Sequence, residues 1–243
     1  MTAPPAAPAG PPPRRRTARG DGGRLRTEIL TAATELLDET GDEGAVTLRA
    51  VARRVGVSAP ALYTHFDDRQ EILLAVVRGA FAELAQVLAT AGPPPDGPGT
   101  TTPAETDDAD AAGGGGAARA AAHLRAVCGA YLAFAAERPQ RYRVMFGGLW
   151  SAQGAVEEAA LSAEEATALG RDALVVLVEA LQACVDAGAS TSAHAPTDAV
   201  ALWVGLHGLA HQRAVAPGFP WPPGIDDRLV ATLARLTAPA PAR

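Results

Sequence analysis

The chain has 243 residues, 21 of them basic and 27 acidic, for a formal net charge of -6 at pH 7. That balance excludes a polycation coating nucleic acid over its whole surface, and 48% hydrophobic residues exclude a chain too polar to build a core. Every basic residue is Arg; with the excess of Ala and Pro, this reads as the coding bias of a GC-rich genome, so alanine-rich stretches carry less structural information than usual.

Charge is unevenly spread. Residues 1–80 hold 11 Arg against 10 acids, whereas the remainder holds 10 Arg against 17. Six of the early arginines (Arg14, Arg15, Arg16, Arg19, Arg24 and Arg26) face Asp21 alone within the first 27 residues. A small basic region beside an acidic body fits local contact with nucleic acid; a charged, solubilising tail is the plainer alternative. Cys128 and Cys184 lie in separate apolar patterns, without the spacing of a zinc site or the density of a disulfide scaffold. No signal-peptide pattern is present, and no uncharged apolar run approaches the roughly 18 residues of a membrane span, so a cytoplasmic protein is expected.

Residues 1–23 carry six Pro and four Gly and are expected to be a disordered basic tail. From Arg24 the pattern changes: Leu25, Ile29, Ala32, Ala33, Leu36 and Leu37 recur at helical spacing until Gly41, which suits a left-handed terminus. Thr47 can cap a second helix with a Leu48, Val51, Ala52 and Val55 stripe, which Gly56 ends. Ser58 can cap a third, whose inner face is Leu62 and Phe66. Asp68 and Glu71 stand at capping-box spacing before a fourth helix running through Val77, Phe81, Leu84 and Leu88.

Residues 92–116, with five Pro and seven Gly, are expected to form a disordered linker; its Asp107, Asp108 and Asp110 lack the ligand ladder and closing Glu of a calcium loop. Helical periodicity resumes near Ala117 and runs to Glu137, Pro139 starts a short helix reaching Phe146, and further helices are expected over about 163–187, 198–215 and 226–236. No strand alternation competes. The fold class is all-α with about nine helices, divided as a tail (1–23), a helix-turn-helix domain (24–68) and a second helical domain (69–243).

The short second and third helices, joined by a tight turn at Gly56, have the build of a helix-turn-helix. The leading face of a groove-entering helix must be small, and Ser58, Ala59, Pro60 and Ala61 meet that need. Tyr63, Thr64 and His65 offer donors to phosphate oxygens, and Thr47 adds a hydroxyl beside free backbone amides. Arg49, in the first turn of the second helix, and the neighbouring Arg53 and Arg54 are cationic candidates for the same surface.

The stretch ILTAATELLDETGDEGAVTLRAVARRVGVSAPALYTHFDDRQEIL, with VARRVGVS and LYTHF in order, resembles the DNA-binding domain of TetR-family transcriptional regulators over about residues 24–80. The resemblance implies that Tyr63 and His65 touch backbone phosphate, as does Arg69, where the family usually carries Lys. Farther on, YLAFAAERPQRYRVMF and ALWVGLHGLA resemble a TetR C-terminal subfamily named for a Trp, a His and a Gly, here Trp203, His207 and Gly208. That implies a ligand-sensing, dimerising body.

Large apolar residues Phe81, Leu84, Leu88, Tyr131, Phe134, Met145, Phe146 and Trp150 form a pool from which a sensor cavity can be lined, Trp203 and His207 lying beside it and Tyr131 or His207 supplying a polar anchor. Most of the pool is expected to be plain core. Gly208 is expected to let two helices approach closely. No nucleophile elbow, HExxH, phosphate-cradling loop or acid-base pair is found, so no enzyme, cofactor or metal is expected. The expected partners are a double-stranded DNA operator, a small hydrophobic effector, and a second copy joined through the last two helices. The alternative is a helical small-molecule binder or enzyme that kept the scaffold without DNA binding.

Overall fold

The computed structural model describes residues 22–92, 109–146, 152–157 and 161–237. The helices are α1 (Gly22–Thr40), α2 (Leu48–Val55), α3 (Ala59–Leu62), α4 (Arg69–Ala89), α5 (Ala109–Glu137), α6 (Pro139–Phe146), α7 (Ala152–Glu157), α8 (Ala163–Ala168), α9 (Arg171–Asp186), α10 (Ala195–Val215) and α11 (Ile225–Leu233), with a 3-10 turn at Glu43–Ala45. Among the described residues there is no strand, only an isolated antiparallel bridge between Ser190 and Leu236. The protein is all-α.

Two of the three expected caps form as the sequence suggests, while Ser58, at the start of α3, makes no side-chain cap hydrogen bond. Thr47 Oγ1 accepts from Ala50 N at 3.1 Å at the start of α2, and Asp68 Oδ1 accepts from Glu71 N at 2.8 Å at the start of α4. Gly41 and Gly56 close α1 and the second helix at positive φ, 64° and 77°.

Three differences from the sequence reading have physical causes. The span expected as one helix over 163–187 is two, α8 and α9, because Gly170 takes φ 77° between them, and a Cβ there would stand 2.8 Å from the Phe81 ring. Helix α5 starts at Ala109 instead of near Ala117, taking in glycines 113–116; their helix cost of up to about 1 kcal/mol each is small enough for the flanking alanines and the long α5 to carry. The third helix, whose inner face was expected to include Phe66, stops at Leu62, and Tyr63, Thr64 and His65 form the turn after it. The basic tail up to residue 21, linker residues 93–108 and Trp150 lie outside the described residues.

Two cores form. One, in what we call the head, joins Ile29, Leu37, Val51, Leu62, Phe66, Ile72 and Val77 from α1, α2, α3 and the first half of α4, and also takes Val144 from α6, Ala155 from α7, and Leu161. The other, in the body, joins Leu84, Leu88, Leu124, Tyr131, Phe134, Tyr142, Met145, Leu177, Leu181, Leu202 and Leu206 from α4, α5, α6, α9 and α10. Helices α4 and α6 therefore belong to both. By length and composition alone α4 could cross a membrane (mean hydropathy 1.8), but it packs against α1, α5, α6 and α9, which is the environment of a core helix.

Close approach in the body falls at a different glycine from the expected one. Gly208 is exposed and a Cβ there would meet nothing within 4 Å, whereas a Cβ on Gly205 would come within 2.4 Å of Leu233 Cδ1. Gly205 is the seat on α10 into which α11 packs, and its position one residue from the buried Leu206 sets that register.

Candidate nucleic-acid interface and sensor recess

The head presents one surface built by α2, α3 and the turn after α3. The buried pair Leu62 and Phe66 holds this segment to the core, which leaves Tyr63 56% exposed, unusual for so large a ring. Thr47, Arg49, Ser58, Pro60 and Thr64 are exposed around it, and Ala59, Ala61 and His65 are half-buried. Thr64 Oγ1 donates to Ala61 O at 2.7 Å, so that hydroxyl is pinned by its own backbone.

The arginines divide sharply in what they do. Arg54 is bound by Glu35 at 3.0 Å and by Glu39, both on α1; the pairing raises the guanidinium further above its ordinary value and holds Glu39 below the usual carboxylate range. Arg26 donates to His65 O at 2.8 Å and lies 4.2 Å over the Phe66 ring, which fixes the end of the recognition segment from α1. Arg69 turns inward: Nε donates to Val46 O at 2.8 Å and Nη2 to Glu43 O at 2.5 Å. Starting α4 beside the 3-10 turn, it meets backbone carbonyls before solvent, so those donors are spent on placing the Thr47 cap and are not offered to a phosphate. Arg49 and Arg53 are exposed and, among the described residues, carry no ion pair. Arg69, expected among the phosphate contacts, has two of its five N–H donors taken by backbone carbonyls, whereas Arg49 and Arg53 have theirs free of ion pairs among the described residues.

In the body, five of the expected lining residues meet at one place, together with one that sequence reasoning did not select. Tyr142, on α6, accepts or donates at two points: its hydroxyl is 3.2 Å from Tyr131 Oη and 2.6 Å from His207 Nδ1. Its ring lies 4.9 Å from Phe146 and 5.6 Å from His207. Phe146 in turn stands 5.4 Å from Phe81, 6.3 Å from Trp203 and 4.7 Å from His207. Tyr131 is 1% exposed, while Phe81 on α4, Phe146 on α6, and Trp203 and His207 on α10 remain partly accessible; we refer to this accessible side of the aromatic cluster as the recess. Leu84, Leu88, Phe134 and Met145 are buried core, as most of the pool was expected to be. The signal for Tyr142 was its place one turn before Phe146 on the same short helix.

Burial pushes the Tyr131 hydroxyl up to about 12 and raises that of Tyr142 further, so both stay protonated. Burial, with His211 nearby, holds His207 below its ordinary value of 6.5, so its ring is neutral at physiological pH. The free thiols of Cys128 and Cys184 are buried and raised, Cys128 to about 12 and Cys184 to about 11, which makes both inert. No cluster of three metal-ligating side chains occurs among the described residues.

Head and body are tied through α6. Arg141 reaches Asp38 on α1 at 2.8 Å and Glu83 on α4 at 2.5 Å, and Arg138 reaches Glu83 at 2.9 Å. The next residue after Arg141 is Tyr142 of the recess. A cleft of about 410 Å³, walled by Thr31, Thr34, Ala75, Gly79 and Arg141, lies along the same junction of α1, α4 and α6.

A helix-turn-helix head on a larger helical body is the architecture of a DNA-binding transcriptional regulator. Comparison with known families agrees. Residues 29–76 match the model for bacterial regulatory proteins of the tetR family, and residues 124–236 match the tetracyclin repressor-like C-terminal domain; the chain belongs to the TetR family. The HTH-type transcriptional repressor AcnR of Corynebacterium diphtheriae is 40% identical over 67 residues, 28% of this chain and 35% of that protein. The class A tetracycline repressor from transposon 1721 of Escherichia coli is 42% identical over 55 residues, 23% of this chain and 25% of that protein. The chain thus matches about a third or less of these curated relatives' own length. Over nearly the whole chain, a protein of unknown function from Rhodococcus sp. RHA1 has the same fold, with a TM-score of 0.60 and 24% identity, covering 86% of this chain and 91% of that one.

Proposed function

We propose that the protein is a transcriptional repressor that binds a palindromic operator as a homodimer and is released by a small hydrophobic effector. The observation that carries the DNA reading is Tyr63, a large ring held exposed just after the small residues Ala59, Pro60 and Ala61, with Arg49 and Arg53 on α2 exposed and free of ion pairs among the described residues. Ala59, Pro60 and Ala61 allow close approach to base edges, and Arg49, Arg53, Tyr63 and the hydroxyls of Thr47 and Ser58 meet phosphate oxygens. His65, held through its backbone by Arg26, sits at the rim of the same contact.

Dimerisation through the last two helices is supported by an apolar stripe on α10. Val200, Val204 and Val215 are 42%, 58% and 60% exposed, and Gly208 lies between them on the same side. Two such heads would sit one DNA turn apart, roughly 34 to 36 Å. An effector pressing on Phe146 and Tyr142 would move α6, and Arg141 would carry that displacement to Asp38 on α1 and Glu83 on α4, changing the separation of the heads.

The test is selection from a random duplex library with the purified protein, followed by binding anisotropy on the enriched sequence across a salt series. The expected result is a palindrome bound by two chains with a steep salt slope. A protein that enriches no duplex, with no co-purified small molecule released on denaturation, is instead a helical binding protein that kept the scaffold.

A further inference from the structure

A phenol has a single proton to donate, and a buried donor left without an acceptor is costly. The hydroxyl of Tyr131 is buried and, among the described residues, its one acceptor is Tyr142 Oη at 3.2 Å. Tyr131 therefore donates to Tyr142. Having accepted that proton, Tyr142 spends its own on His207 Nδ1, 2.6 Å away. An imidazole that accepts at Nδ1 and stays neutral carries its proton on Nε2. That atom has no hydrogen-bond partner among the described residues and is not one of the buried unsatisfied atoms, so it is open to the recess.

The surroundings of this N–H are aromatic. Phe146, Tyr142 and Trp203 stand 4.7, 5.6 and 6.3 Å from the His207 ring, and Phe81 closes on Phe146. The guanidiniums that stack on rings among the described residues do so on Phe66 and Phe134, outside this group. An anion entering here would lose its water and meet a neutral donor instead of a cation, whereas a neutral acceptor loses little.

Taking the body as a ligand sensor, we propose that the recess selects an uncharged, flat hydrophobic molecule bearing one ketone-type carbonyl, which accepts the Nε2–H of His207. The chain Tyr131 to Tyr142 to His207 sets the polarity of that donor from inside the fold, and Trp203 and Phe146 supply the faces on which the flat body lies.

Three naphthalene probes of equal size separate the possibilities by calorimetry: 2-acetylnaphthalene, 2-isopropylnaphthalene and 2-naphthoate. The ketone is expected to bind about tenfold more tightly than the hydrocarbon, the worth of one good hydrogen bond, and more tightly still than the carboxylate. His207→Phe should equalise ketone and hydrocarbon, and His207→Gln, which keeps an N–H donor and an acceptor for Tyr142, should restore the preference. Nitrogen-15 spectra of the histidine ring, free of any probe, should show the Nε2–H tautomer for His207 at neutral pH and a relaxed mixture in Tyr142→Phe. An Nδ1–H tautomer in the parent protein, equal affinity for the three probes, a preference for naphthoate, or binding of none would each overturn the assignment. Duplex binding is measured on the same samples. If the ketone preference fails while an operator is still bound, the ligand chemistry alone is wrong; if the ketone binds but no duplex is ever retained, the regulator reading falls and the recess assignment stands.

Discussion

Head and body are built from the same helical material but are specified over very different distances along the chain. In the head, caps and turn are local, Thr47 capping its own helix and Leu62 lying four residues from Phe66, and the core draws mostly on residues 29–77, with Val144, Ala155 and Leu161 added from farther along the chain. In the body, the decisive contacts join Tyr131 to Tyr142 and Tyr142 to His207, the last pair 65 residues apart. The head is a local device carried by a motif, and the body is an assembly that exists once four helices have met. A surface that reads a repeated polymer can be standardised in this way; a recess that reads one molecule has to be re-formed each time.

The sharpest way to break this contrast is Phe66→Ala in the head core, which should cost about 3 to 5 kcal/mol. Trp203 and Trp221 pack against the body core, so in a Trp150→Phe background the remaining tryptophan fluorescence reports the body. Loss of DNA binding with the tryptophan melting transition retained would make the head a separate cooperative unit. A joint collapse would show that the shared helices α4 and α6 weld the two. Next in size is Gly170→Ala, where the left-handed backbone and the Phe81 ring 2.8 Å away together should cost about 2 kcal/mol, a fall in Tm of roughly 4 to 8 °C by calorimetry.

Arg141→Met should be milder in stability, about 1 kcal/mol or less, because its partners are partly solvated. Its larger effect is expected on coupling: operator affinity is kept, but a recess ligand no longer lowers it, read by anisotropy with and without ligand. Retained ligand response would remove Arg141 from the link. Smaller again, Arg53→Ala should leave Tm unchanged and reduce the salt slope of DNA binding by about one, and Tyr63→Ala should weaken operator and random duplex alike. Loss confined to the operator would move Tyr63 from phosphate to base contact. Last, His207 titrates below 6.5 in the folded chain, so its contribution to stability is complete above that pH and is lost as pH falls through the folded value. The parent's Tm should therefore drop relative to His207→Phe only in that acidic range.

Much of this organisation is legible in the sequence, and the unread parts share a cause. Caps at Thr47 and Asp68, the Gly56 turn and the inner stripe of α1 are local signals, and each appears as expected. For Arg69, residue type and position state that a cation is present, but not that carbonyls at Glu43 and Val46 lie within its reach and take part of its donors. Gly208 is a similar case: a motif names it, while the helix that needs a missing side chain packs over Gly205, which a contact with Leu233 decides. Tyr142 stayed hidden because its two partners come from other helices, α5 and α10. The break at Gly170 was open to sequence reading, since a glycine amid leucines and valines marks a left-handed turn as readily as a helical residue.

The sharing of α4 and α6 between the two cores bears on how such proteins can be recombined. A graft made at residue 68, the apparent end of the motif, would carry a head without Ile72, Leu73, Val76 and Val77, and without the Val144 that closes its inner wall. The exchangeable part is therefore not a contiguous segment. A chimera that moves DNA specificity between relatives should keep the recipient's own α4 and α6 and transplant only the outward positions of α2, α3 and the turn after α3, leaving every buried residue of the host in place.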